Sequence, residues 1–191
     1  VATNSNIKYK KSLTNKSTGE LTTVVEAAIE AQFNSDLNEF GSTLRYSGIV
    51  ASIDNAEASI ISNVTTIQMS RRFLKDSTNT AGIYEIQYYN KIIPGTVVSS
   101  TIVKTDVADY AIMDDGLGVM TLYNITAQAF ENIEMGTVDY TTGKIELNGF
   151  LTEIDINQSI SIYAAPEDTD ISSEKNLLIL FDSATIEATP I

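Results

Sequence analysis

No cysteine, histidine or tryptophan occurs among the 191 residues, and these absences exclude whole chemistries. A Ser-His-Asp or Cys-His nucleophile, a zinc site built on thiolate or imidazole, an iron-sulfur cluster and a disulfide framework all need side chains that are missing. Cations are scarce as well. Twelve Lys and Arg stand against 25 Asp and Glu, leaving a formal net charge of -13 and a pI near 4.2. Nucleic acid is argued against, because binding it takes clustered cations that displace phosphate counterions, and an anionic membrane surface is disfavoured for the same reason. No apolar run approaches the roughly 20 residues that span a bilayer, and the N-terminus lacks the basic and apolar regions of a signal peptide. No cofactor is expected. The chain begins at Val1 and reads as a piece excised from a longer protein.

What is present suits a folded domain. Hydrophobic residues make up 43%, and a chain of this length can bury about 70% of its unfolded surface. The charge is uneven along the chain: residues 1–75 carry 8 basic and 7 acidic side chains, whereas residues 76–191 carry 4 and 18. The acidic part reads as a soluble, self-repelling surface or as a face for a basic partner. If like-charged copies pack together, the N-terminal part and the apolar strand faces are the better places for the contact.

One long helix is written clearly. Leu21, Val24, Val25, Ala28, Ile29, Phe33, Leu37 and Phe40 recur at spacings of three and four, which places them on one stripe. Ser17 and Glu20 have capping-box spacing ahead of it, and Gly41 can supply the left-handed residue that ends it. A short second helix is expected over Tyr46–Asp54, with Ile49, Val50 and Ile53 facing in.

From about Ser59 the texture becomes short β-prone runs broken by Gly, Asn, Asp and Pro. Strands are expected around Thr65–Phe73, over Ile83–Ile93, over Val97–Val103, on both sides of Asp114-Asp115-Gly116, over Ser159–Ala164 and over Leu177–Phe181. The clearest hairpin joins Val138 and Tyr140 to Ile145 and Leu147 through Thr141-Thr142-Gly143, with Gly143 at positive φ. The expected fold class is therefore α+β: one long N-terminal amphipathic helix and a short second helix packed on a mainly antiparallel β-sheet. Residues 1–75 form the helical part and 76–191 the β part, within one compact unit.

Carboxylates are the acid-base equipment that remains, so Asp114 with Asp115, Glu153 with Asp155, and Glu167, Asp168 and Asp170 are the pairs to weigh. Glycoside hydrolysis needs two carboxyls facing each other across a cleft, which sequence neighbours do not supply. Asp114 and Asp115 read as turn residues, and Glu153 and Asp155 as the solvent face of a strand. The loop from Pro166 to Glu174 offers oxygens, but without the ligand and glycine spacing of an EF-hand loop. Four Asn-x-Ser/Thr sequons, at Asn15, Asn63, Asn124 and Asn157, carry little weight in a chain rich in Asn, Ser and Thr. Arg71 and Arg72, next to Lys75, read as strand-end charges or as docking contacts. Tyr84 and Tyr88 read as buried cross-strand packing, with Tyr89 on the other face as an exposed anchor.

Two stretches carry a family resemblance: STLRYSGIVASIDNAEASIISNVTTIQM, Ser42 to Met69, and GTVDYTTGKIELNGF, Gly136 to Phe150. Together and in this order they resemble the large baseplate wedge subunit of T4-like contractile-tailed bacteriophages, a relative of the baseplate J proteins. The matching positions are Arg45, Tyr46, Ser47, Ile53 and Asp54, then Gly136, Asp139, Tyr140, Gly143, Lys144 and Ile145. The resemblance implies a C-terminal piece of the wedge subunit, located in the virion tail baseplate and assembled in the host cytoplasm. It implies a structural role: homodimeric contacts and docking of other wedge proteins, with no enzymatic activity. Candidate interface contacts are Tyr46, Arg71, Arg72 and Tyr89. The alternative is a carbohydrate-binding or adhesive module in which exposed Tyr side chains stack on sugar rings; a carboxylate-based hydrolase ranks third.

Overall fold

The computed structural model describes residues 1–37, 41–75, 82–103, 109–148, 159–173 and 178–191. In chain order the elements are β1 (Ala2–Tyr9), a 3-10 turn (Lys11–Leu13), α1 (Thr18–Asp36), β2 (Thr43–Leu44), α2 (Tyr46–Ala56), β3 (Ile60–Leu74), β4 (Tyr84–Gln87), β5 (Val98–Ser99), β6 (Ile102–Val103) and β7 (Asp109–Asp114). They continue with β8 (Val119–Asn124), β9 (Ala129–Asp139), β10 (Lys144–Leu147), β11 (Ser159–Ala164), β12 (Ile171–Ser172) and β13 (Ser183–Pro190).

This corrects the α+β expectation. The protein is mostly β, with two α-helices among thirteen strands in the described residues, and it opens on a strand rather than on a long N-terminal helix. The pairing is mixed, because β1 runs parallel to β13. The reason lies in β1 and β13 themselves. The inward positions of β1 begin with Thr3 and Ser5 before Ile7 and Tyr9, so half of its buried face carries no hydrophobic signal. In β13 the half-buried positions are Ala184, Ile186 and Ala188, too small an apolar set to stand out.

Two compact units emerge, one of Val1–Gln68 with Asp168–Ile191 and one of Met69–Glu167. Charge that looked lopsided along the sequence is nearly even between them: 6 basic and 12 acidic residues in the first unit, 6 and 13 in the second. The first unit gains five acids from the returning segment 168–191.

In the first unit β1 lies between β13 and β3. It pairs with β13 from Ala2↔Ser183 to Tyr9↔Pro190 without a break, and antiparallel with β3 from Ala2↔Gln68 to Tyr9↔Ile60. α1 starts at a complete capping box: the Ser17 side chain accepts the Glu20 amide at 3.3 Å, and the Glu20 carboxylate accepts the Ser17 amide at 2.7 Å. The Ser17 amide holds the Glu20 carboxyl below the usual range. Leu21, Val25, Ile29 and Phe33 of α1 are buried, each such side chain contributing about 2 kcal/mol of transfer free energy. The Phe33 ring stands 4.9 Å from Phe181. In α2, Ile49 and Ile53 are buried and Val50 is half-buried. Phe40, placed on the α1 stripe from sequence, lies outside the described residues.

In the second unit the C-terminal half of β3 begins an antiparallel sheet in the order β3-β11-β5-β7-β8-β9-β10-β4, with β6 beside β7. Its buried face includes Ile86, Ile112, Met120, Leu122, Ile145, Leu147, Ile160 and Ile162. The expected strand over Ile83–Ile93 is shorter: pairing stops at Gln87, and Tyr89 takes φ 58, which turns the chain. Residues 97–103 hold two separate two-residue strands, β5 and β6, rather than one. Near the end of the chain the strand begins at Ser183, later than the expected Leu177–Phe181; Leu177 lies outside the described residues.

Candidate docking surface on braced turns

Several turns of the second unit meet around one carboxylate. The turn from β7 to β8, the segment after Pro94 and the β9–β10 hairpin all approach Asp114, which is 6% exposed. Its Oδ2 accepts the Gly95 amide at 2.7 Å and the Tyr140 hydroxyl at 2.8 Å, while Oδ1 accepts the Val97 amide at 2.9 Å. The Tyr140 oxygen in turn accepts the Gly118 amide at 3.1 Å. Such a carboxylate is a structural clamp, because its two oxygens tie donors from three separate segments to one point.

The neighbouring acids brace the turns individually. Asp115 accepts the Leu117 and Val119 amides at 2.7 and 3.0 Å, and the Val119 amide foremost holds its carboxyl below the usual range. Asp139 accepts the Thr141 and Thr142 amides at 2.9 and 3.2 Å, and its carboxyl is likewise held low, chiefly by the Thr142 side chain. Gly143 sits at φ 69 with its Cα against the Asn90 carbonyl oxygen, and Gly136 at φ 151 against the Glu146 carbonyl. At both places a side chain would meet backbone, so the glycines of the hairpin are fixed by space as well as by φ.

Burial, reinforced by the bond to Asp114, pushes the Tyr140 phenol up to about 12 from an ordinary 10.0; burial also raises Tyr88, whose hydroxyl donates to the Ile162 carbonyl at 2.5 Å. A phenol held protonated in the fold contributes stability that is complete below the ordinary value and is lost as pH rises through the raised one. Thermal stability followed by circular dichroism is therefore expected to fall as pH climbs from 10 to about 12, with a smaller fall in Tyr140→Phe. An unchanged slope in that variant would remove Tyr140 as its source.

Exposed apolar side chains accompany these braced turns. Leu117, between Gly116 and Gly118, is 88% exposed, Tyr89 is 51% exposed, and Ile93 is exposed too. The Gly116 and Gly95 backbones lie close together, and the Ile92 amide bonds the Tyr140 carbonyl at 2.9 Å. This end of the second unit thus presents apolar groups on a backbone that cannot easily rearrange, which lowers the ordering cost of binding.

The residues singled out from sequence fall in different places. Tyr46 opens α2 in the first unit, where its amide donates to the Asp170 carboxylate at 3.0 Å and its hydroxyl to the Thr65 carbonyl at 2.8 Å. Arg71 and Arg72 lie on β3 in the second unit, Arg71 half-buried near the Tyr88 hydroxyl and Arg72 exposed. Tyr89 sits on the braced turns. Of the acids, Glu153 and Asp155 lie outside the described residues, Glu167 is 3.9 Å from Lys91 on an exposed surface, and Asp170 is occupied by Tyr46. Among the described residues no group of three acids is placed to hold a metal ion, and no helix is long and apolar enough to cross a membrane. The clamp at Asp114 was not foreseen; its partners are 17 to 26 residues away along the chain, beyond the reach of local pattern.

Residues 1–72 match the family model described as baseplate structural protein gp6, C-terminal domain III. No curated protein matches the chain. The matched span takes in β1, both α-helices and nearly all of β3, and so includes the Arg45-Tyr46-Ser47 motif. The Gly136–Phe150 motif lies beyond it. The match likens the first 72 residues to a domain of a structural protein of phage baseplates.

Proposed function

We propose that this chain is part of a wedge subunit of a contractile-tail baseplate, where it pairs with a second copy and docks other wedge proteins during assembly. The observation that carries the reading is the match of residues 1–72 to a baseplate structural domain. The braced turns add to it, since Leu117, Tyr89 and Ile93 offer apolar contacts on a rigid backbone. A chain with net charge -13 associates with itself only where apolar contact outweighs repulsion, so the dimer contact should centre on apolar and aromatic side chains.

Light scattering on the purified chain is expected to show a dimer at high micromolar concentration. A mass that stays at 20.8 kDa across that range would count against self-association of this piece. Exposed Tyr89 supports the adhesive reading as the alternative, and a glycan-array signal abolished by Tyr89→Ala would favour it.

A further inference from the structure

The second unit carries two exposed features of opposite charge. One is the outer half of the β8–β9 ribbon, where every residue from Ile125 to Glu134 is exposed except half-buried Glu131. Phe130 there is 53% exposed and packs edge-on against Tyr123 at 5.0 Å. Phe130 and Glu134 pair with Tyr123 and Thr121, which share a face of β8, across a register shift that lies between the two pairs. The turn is ordered by Asn124, whose side-chain oxygen accepts the Ala127 amide at 2.9 Å. Residues 105–143 contain no Lys or Arg, so the ribbon carries an apolar tip with acidic but no basic side chains of its own.

The second feature is the outer face of the β3–β11 pair. Leu74 is 51% exposed and shares that face with Arg72, while Ser159 and Ser161 stand opposite them on β11. Two small serines beside an exposed Leu make a shallow floor that an aromatic ring can cover. Arg72 is exposed and has no ion pair among the described residues. The register of β8 and β9 shifts between Thr121 and Tyr123, so Phe130 and Glu134 stand opposite residues two apart, a step of about 7 Å that matches the two-residue step from Leu74 to Arg72.

We propose that these two features bind each other between copies: the β8–β9 tip of one chain docks on the β3–β11 face of the next, with Phe130 over Leu74 and the serines and Glu134 paired to Arg72. The occupant is a second copy because the same chain supplies both the acidic apolar tip and the basic apolar floor. Such a contact joins different surfaces, so it is heterologous and does not close at two. It goes beyond the two-fold pairing proposed above, which by itself stops at a dimer; two kinds of contact together permit a ring.

Mixing of two blocked chains tests it by sedimentation velocity. Phe130→Asp removes the tip but keeps the floor, and Arg72→Glu spoils the floor but keeps the tip. Each variant alone is expected to lose at least about tenfold in affinity for assembly beyond the dimer. An equimolar mixture regains the tip-to-floor contact between unlike chains alone, so it should form larger species than either variant gives, but fewer of them than wild type does. Glu134→Arg mixed with Arg72→Glu should recover extended assembly, because each contact then joins opposite charges. Circular dichroism matching wild type confirms that each variant is folded, and Glu134→Arg serves as the arm variant if Phe130→Asp is not. No recovery in either mixture overturns the proposal, as does a wild type with no species larger than a dimer. A wild-type dimer that neither substitution weakens overturns the heterologous contact alone and leaves the two-fold reading standing.

Discussion

Gly136→Ala is expected to lower the thermal midpoint by about 10 °C or more, corresponding to a loss of about 4 kcal/mol or greater for a chain of this size. Two costs combine. The residue sits at φ 151, a backbone region where L side chains are strained, and a β-carbon there would overlap the Glu146 carbonyl oxygen on the neighbouring strand. Neither partner can yield cheaply, because Glu146 is paired on both sides, to Thr137 of β9 and to Glu85 of β4. The obstacle is backbone, not a side chain that could swing away. Gly19, with nothing within 4 Å of a built β-carbon and a place inside α1, is the control: Ala there should be neutral or slightly stabilising. A Gly136→Ala protein melting within 2 °C or so of wild type would mean that the β9–β10 ladder relaxes far more readily than its geometry implies.

Asp114→Ala should be nearly as damaging, at about 4 kcal/mol by thermal or urea unfolding. It strands the Gly95 and Val97 amides and the Tyr140 hydroxyl together, and a buried donor left without a partner costs about 1–3 kcal/mol. Graded replacements separate the clamp from simple packing. Asn retains one carbonyl oxygen and should recover part of the loss, whereas Tyr140→Phe deletes the bonds to Asp114 and from the Gly118 amide and should cost about 2 kcal/mol. Equal destabilisation by Asn and Ala would show that the negative charge, rather than the number of acceptors, holds the turns together.

The legible parts of the sequence were those governed by neighbours. The Ser17–Glu20 capping box, the β11 bounds and the Thr141-Thr142-Gly143 turn each follow from residues within a few positions of one another, and the structure has them where the pattern put them. What was illegible depended on distant segments. β1 hides because Thr3 and Ser5 occupy buried positions, and Ser5 is satisfied there by a bond from Thr65 at 3.0 Å, 60 residues away. β13 hides because Ala and Thr carry much of it, and the fold class was misjudged largely through these two strands. The site shows the same division: Asp115 and Asp139 behave as local turn acids, but Asp114 looked like a third and is the hub of three segments. Exposure of Tyr89 was anticipated from alternation, although its cause is different, a left-handed φ after the strand has already ended.

The pairing of β1 with β13 also sets a clock. Ala2 and Ser183 are neighbours across the ladder yet separated by nearly the whole chain, with the second unit encoded between them. At ribosomal rates of about 5–20 residues per second, β1 waits about 10–35 seconds for its parallel partner to be made. The intervening unit, continuous from Met69 to Glu167, has every strand it needs before then. During synthesis the first half of the molecule is thus the last to be completed, and its unsatisfied β1 edge is the place where a chaperone, or an errant neighbouring chain, has time to act.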